Sequence, residues 1–133
     1  MKKTLTITAT AAALFAAAVA ANTQRDAIVA GYAAQAGVSS FNAEAGRALF
    51  LSQNTGGKAA TPSCTSCHTD NPQAQGRTRV GKVIEPMAIS RTPERFTDIE
   101  KVEKWFRRNC NSVLGRECTP EEKGNYITFM MSQ

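Results

Sequence analysis

Cys64-Thr65-Ser66-Cys67-His68 is the stretch on which the reading of this chain turns. Two cysteines three positions apart, followed at once by a histidine, form the attachment pattern of a c-type haem. On one helical turn the two thiols can reach the two vinyl groups on a single edge of a porphyrin and form thioethers. The next side chain then lies beneath the ring, where an imidazole can reach the iron. Three other readings compete. A thioredoxin-like redox pair needs a βαβ setting that the flanking sequence lacks. A zinc site could draw on all four cysteines, but it would leave a thiolate cluster in an oxidising compartment. A five-residue pattern also arises by chance.

The compartment is read from the first residues. Lys2 and Lys3 precede an apolar run of Ala, Leu, Phe and Val that ends in Val19, Ala20 and Ala21. This is the layout of a cleaved signal peptide over residues 1–21, leaving a domain over residues 22–133. As a membrane anchor the run is short and alanine-rich against about 30 Å of hydrocarbon, and no second apolar run follows. The expectation is a periplasmic protein with no stable membrane insertion. The formal charge is +5, and loss of Lys2 and Lys3 lowers it to +3. That excess is small and mixed with acidic residues, so nucleic acid is not expected as a partner. Solvated surface is the default reading of the basic side chains, and an acidic redox partner remains open.

The domain reads as all-α. Alanine-rich sequence from Asn22 to about Gly37 predicts a first helix with Gly37 as its C-terminal cap. Ser39 or Ser40 is expected to cap a second helix over 42–52, and Gly46 inside it predicts close approach of another backbone. Residues 54–63 read as a loop. Residues 69–92, interrupted by Pro72, Gly76, Gly81 and Pro86, read as a long loop around the cofactor with no strand pattern. Thr97-Asp98-Ile99-Glu100 reads as a capping box opening a third helix to about Asn109. Thr119-Pro120-Glu121-Glu122 reads as another, opening a last helix to about Met131.

His68 is the sole histidine of the chain, so bis-histidine ligation is excluded. Met87, following Pro86 in the loop, is one candidate for the sixth iron position, with packing against the haem as its alternative. Met130 and Met131 read as core and surface. Asn109 is the other candidate. Ile99, Val102, Trp105 and Phe106 form an apolar arc on the third helix, and Asn109 falls within it. A carboxamide aimed into a core needs a partner, which could be iron or the backbone carbonyls at the helix end. Val102, Trp105, Phe106 and Met87 are the expected haem-pocket residues. Cys110 and Cys118 flank a short turn directly after Asn109 and are expected to form a disulfide joining the last two helices.

Phe41-Asn42-Ala43-Glu44-Ala45-Gly46-Arg47-Ala48-Leu49-Phe50, ahead of the haem motif, resembles the opening of class I cytochromes c. Arg95-Phe96-Thr97, then Lys101 through Cys110, with Cys118 eight positions on, resembles the sphaeroides haem protein (SHP) family over nearly the whole mature chain. The resemblance implies a class I cytochrome c-like fold with an extra N-terminal helix, one haem c, and a Cys110–Cys118 disulfide beside the ligand. It implies that Asn109 ligates ferric iron and leaves on reduction. The iron then binds O2 and other small ligands such as CO, NO, cyanide or azide. Electrons would come from redox partner cytochromes, multihaem or membrane-associated. The chain departs from ordinary class I cytochromes in having about a dozen residues between Phe50 and Cys64. Two other functions stay open at this point: a plain electron carrier with Met87 as ligand, and a haem enzyme consuming nitric oxide or peroxide.

Overall fold

The computed structural model describes residues 8–133, with side chains from residue 14 onward. The elements run α1 (Thr8–Ala36), α2 (Ala43–Leu51), α3 (Thr65–His68), β1 (Gly76–Arg77), β2 (Val83–Ile84), α4 (Ile99–Val113) and α5 (Pro120–Met131). The fold is all-α, as expected, except for one miniature hairpin. β1 and β2 pair antiparallel, Gly76 opposite Ile84 and Arg77 opposite Val83. Strands of two residues cannot display an alternating pattern, so no periodicity marks them.

Helix α1 starts well before Asn22. No proline or glycine separates the alanine-rich opening residues from the Asn22–Ala36 stretch, so nothing stops the helix between them. Gly37 ends it at a φ of +69°, the left-handed cap the sequence predicts. Lys2 and Lys3 lie outside the described residues. No described helix is long and apolar enough to cross a membrane.

One face of α1, formed by Ala21, Arg25, Ile28 and Tyr32, is buried. Arg25 is 1% exposed, a departure from the solvated surface expected of the basic side chains. Its guanidinium donates to the Arg95 carbonyl (3.0 Å), to Asn22 Oδ1 (2.9 Å) and to the Pro93 carbonyl. Carbonyl partners make burial of the cation tolerable, although desolvation lowers its pKa. Tyr32 donates to Glu103 Oε1, and Lys123 Nζ lies 2.7 Å from Glu103 Oε2, so α1, α4 and α5 meet at one polar junction.

The cap of α2 is Asn42 rather than Ser39 or Ser40. Its Oδ1 accepts from Glu44 N (2.8 Å) and Ala45 N (3.2 Å), and its own N–H donates to Asn125 Oδ1 (2.7 Å). An asparagine directly before the helix satisfies two orphan amides that a serine two residues earlier cannot reach. Helices α2 and α5 then cross at glycine: a Cβ on Gly46 would lie 2.0 Å from the Asn125 carbonyl oxygen. Around this crossing Phe50, Ile127 and Met130 are fully buried, with Tyr126 and Phe129 beside them, while Met131 is exposed. Tyr126 is the hub, with ring centroids 5.6 Å from Phe106, 6.1 Å from Phe50 and 6.2 Å from Phe96.

The expected box at Thr119 is present in full, with Pro120 at the first helical position. The one at Thr97 is not. Asp98 caps α4 alone, accepting from Glu100 N and Lys101 N, because the Thr97 hydroxyl donates back to the Glu94 carbonyl (2.8 Å).

Candidate functional site

The Cys64–His68 turn is built from the serine before it. Ser63 is 2% exposed; its hydroxyl donates to the Phe50 carbonyl (3.4 Å) and accepts from Thr65 N (3.2 Å). Cys67 N and His68 N both donate to the Cys64 carbonyl, at 3.3 and 3.1 Å, which winds the motif into one helical turn. Cysteines three apart on such a turn share a face. Thr69, at a φ of +60°, ends the turn. The hairpin packs behind it: a Cβ on Gly76 would fall 2.1 Å from the Cys67 carbonyl oxygen, so only glycine lets the two backbones meet.

Cys64 and Cys67 are free thiols, not joined to each other. Burial pushes the Cys64 thiol up to about 11, with the neighbouring Cys67 adding to the rise. A disulfide-exchange pair needs a depressed thiol pKa, so this environment does not suit that chemistry. Among the described residues no three His, Cys, Asp or Glu side chains converge as a metal cluster, which leaves no four-cysteine zinc site. Burial also lowers the His68 pKa to about 4, and nearby Arg95 pushes the same way. The imidazole is therefore neutral at pH 7, the form that binds metal. Its Nδ1 is buried and has no hydrogen-bond partner among the described residues. Two unpaired thiols on one turn and a neutral, incompletely satisfied imidazole fit a covalently attached haem.

Helix α4 corrects the expectation in two ways. It runs to Val113, with Leu114 as its cap, so Asn109 sits a full turn inside the helix and is no C-terminal cap. Its buried residues are Val102, Phe106, Cys110 and Val113. Ile99 and Trp105, expected in the same arc, are 49% and 51% exposed. The arc is turned because Phe106 packs edge-on between Tyr32 (6.4 Å) and Tyr126 (5.6 Å). Trp105 instead lies under Arg108, at 5.1 Å, and Lys104, at 5.8 Å. Asn109 is also exposed, one turn beyond Trp105 on the edge of the arc. Its neighbour Asn111 bonds back to the Arg107 carbonyl (2.7 Å), whereas the Asn109 carboxamide makes no hydrogen bond among the described residues.

Cys110 and Cys118 are joined, with Cα atoms 5.6 Å apart. Met87 is 8% exposed and belongs to the main hydrophobic cluster, and two residues on Ile89 N donates to the Met130 carbonyl (3.1 Å). Sequence reasoning missed Tyr126 and Arg95. Burial raises the Tyr126 pKa well above normal, with Cys64 adding to the rise and Arg95 opposing it. Arg95 also donates to the Pro86 carbonyl (2.9 Å), tying the segment before Met87 to the start of α4. Only the aromatic spacing of α5 hinted at the tyrosine; nothing local marked the arginine.

A family model described as a domain of unknown function, DUF1924, matches residues 36–130. The cytochrome c-type protein SHP of Cereibacter sphaeroides is 52% identical over 122 residues, 92% of this chain and 94% of that one. Cytochrome c'' of Methylophilus methylotrophus is 45% identical over 82 residues, 57% of each chain. Among solved structures, oxidised SHP, described as an oxygen-binding cytochrome c, superposes with a TM-score of 0.79 at 54% identity, covering 82% of this chain and 96% of that one. Oxidised cytochrome c'' superposes with a TM-score of 0.67 at 35% identity, covering 84% and 95%. The fold is thus that of the cytochrome c-like relatives, and the chain belongs to the SHP family of c-type cytochromes, with one covalently bound haem c.

Proposed function

We propose that this is an exported, periplasmic cytochrome that takes up electrons and binds O2 or a similar small ligand at an iron position guarded by Asn109. Cys64 and Cys67 would carry the thioethers, and His68 would ligate the iron. When bound, the haem supplies a one-electron couple and a sixth position for a gas. The carrying observation is the place of Asn109: inside the helix, at the edge of its apolar arc, and with no backbone partner. A carboxamide is a weak, neutral oxygen donor, better suited to harder ferric than to softer ferrous iron. Asn109 would therefore suit the oxidised state better than the reduced one, and its N–H would remain near as a donor to a small ligand. Val102 and Phe106, buried on α4, would supply the apolar wall that limits water, whereas Trp105 lies outside it. The oxygen binding described for solved SHP supports this reading.

Export is supported by the opening of α1, where Leu14, Phe15 and Val19 are 70%, 74% and 49% exposed and so gain little from packing. An oxidising periplasm also suits the Cys110–Cys118 bond. Replacing both cysteines by serine is expected to cost about 2–3 kcal/mol by the chain-entropy estimate for so short a loop. Urea unfolding with an unchanged m-value measures it.

Absorption spectra of both oxidation states, with and without carbon monoxide, test the function. The expected result is a ferrous form that is five-coordinate and binds carbon monoxide at once. A ferrous form that stays six-coordinate and ignores the gas overturns the proposal. A methionine–iron charge-transfer band in the ferric spectrum would instead place Met87 on the iron and make the protein a plain electron carrier. Steady-state consumption of nitric oxide or peroxide would add an enzymatic role, for which the chain offers no second histidine.

A further inference from the structure

We infer that the segment between α2 and the haem motif is a clamp that positions Asn109, fastened by Thr61 and Ser112. The inference rests on Asn109 as the ferric ligand. The segment is rigid at its base, where Asn54 N donates to the Pro62 carbonyl (2.8 Å) and Asn54 Nδ2 donates to Ser52 Oγ (2.9 Å). It runs directly through Pro62 and the buried Ser63 into Cys64. Its tip reaches the far end of α4. Lys58 N donates to the Ser112 carbonyl at 2.7 Å. Thr61 Oγ1 donates to the same carbonyl at 3.2 Å and lies 2.8 Å from Ser112 Oγ.

The last carbonyls of a helix have no partner within it. Here the loop supplies one. Contact is at backbone distance: a Cβ on Gly57 would lie 2.3 Å from the Ser112 oxygen, and one on Gly115 would lie 2.0 Å from the Gly56 oxygen. Gly115 also needs its φ of +72° to make the turn. Ser112 follows Asn109 by three residues, on the same side of the helix. The Cys110–Cys118 bond grips the same turn from the segment just before α5.

The final turn of α4 is thus tied to α5 and, through the loop, to the segment that carries the covalent cofactor. Release of Asn109 is left to its side chain, because its backbone is held at a fixed distance from Cys64 and His68. A ligand that leaves yet stays tethered is recaptured quickly on oxidation. Loosening the clamp should let the helix end drift and weaken the hold of Asn109 on ferric iron. Thr61 and Ser112 are positioning residues in this scheme; neither touches the iron.

The test compares Thr61→Val, which keeps the shape and removes the hydroxyl, with Thr61→Ser, which restores it, in the haem-loaded protein. The first readout is hydrogen exchange at the Lys58 amide, expected to quicken in the valine variant and to return to normal in the serine variant. The second is the rate of sodium azide binding to the ferric protein, expected to rise about three- to tenfold in Thr61→Val alone, with a larger high-spin fraction in its spectrum. Unchanged exchange at Lys58, or quicker exchange with azide binding unchanged, overturns the inference. Asn109→Ala measured alongside separates the two failures. If it alters azide binding while Thr61→Val does not, only the clamp is lost; if it too changes nothing, the ligand reading falls and the clamp with it.

Discussion

Asn109→Ala is expected to raise the affinity of the ferric protein for azide or cyanide by about 5- to 150-fold, and to convert its spectrum from six-coordinate to high-spin. An internal ligand that must leave before an external one binds lowers apparent affinity by the fraction of time the site is free. Couplings of this kind amount to about 1–3 kcal/mol, which sets the range. The ferrous protein supplies the control. On the proposed reading Asn109 would already be off the iron there, so carbon monoxide affinity should change far less than azide affinity. A general disturbance of the pocket would move both. The helix itself should tolerate the change, since alanine is a better helix former than asparagine and Asn109 makes no hydrogen bond that would be lost. Met87→Leu is the companion experiment. Met87 is packed in the hydrophobic cluster, so a volume-conserving swap should cost under about 1.5 kcal/mol and leave the ferric spectrum unaltered. A spectrum that survives Asn109→Ala and collapses in Met87→Leu would hand the sixth position to the methionine.

The parts of this protein legible in its sequence are those fixed by neighbours along the chain. The haem motif, the Thr119 box with Pro120, and the cap at Gly37 each complete their geometry within a few residues, so their spacing is their signal. Gly46 was legible for a related reason: a glycine inside a helix weakens it unless something lies where a side chain would be. The misreadings have physical causes of the same sort. Asn42 competed with Ser39 and Ser40 as a cap, and hydrogen-bond reach decided it. The end of α4 was placed at an amide, but Cys110 and Val113 continue the buried face and carry the helix one turn further. That extra turn turned Asn109 from a cap into a side chain without a backbone role. The contacts of Arg25 and Arg95 could not be read at all. Their acceptors are backbone carbonyls brought together by folding, those of Arg25 some 70 residues away, and carbonyls carry no sequence. The clamp was half visible: the long gap between Phe50 and Cys64 stood out, but its contact with Ser112 did not.

Gly46→Ala is expected to destabilise the domain by about 3 kcal/mol or more. On propensity alone the change should help, since glycine within a helix costs about 0.5–1 kcal/mol relative to alanine. Packing reverses the sign. The new Cβ would lie 2.0 Å from the Asn125 oxygen, 2.5 Å from the Asn125 carbonyl carbon and 2.9 Å from Phe129 Cβ. Backbone atoms of α5 cannot swing aside as a side-chain tip can, so the two helices must separate. Overpacked cores lose about 1–3 kcal/mol, and a clash with backbone lies at or beyond the upper end. Separation would also break the Asn42 N to Asn125 Oδ1 bond and loosen Phe50, whose carbonyl receives the Ser63 hydroxyl beneath the haem motif. For a domain of this size the melting temperature should fall by roughly 10 °C or more. Gly31→Ala is the matched control, because a Cβ there meets nothing within 4 Å and should give back the propensity gain as a small rise. Thermal unfolding of the two variants beside the parent reads both signs at once. If Gly46→Ala melts within about 2 °C of the parent, the helices do not cross at backbone contact, and the packing that seats Ser63 under the cysteines must be held some other way.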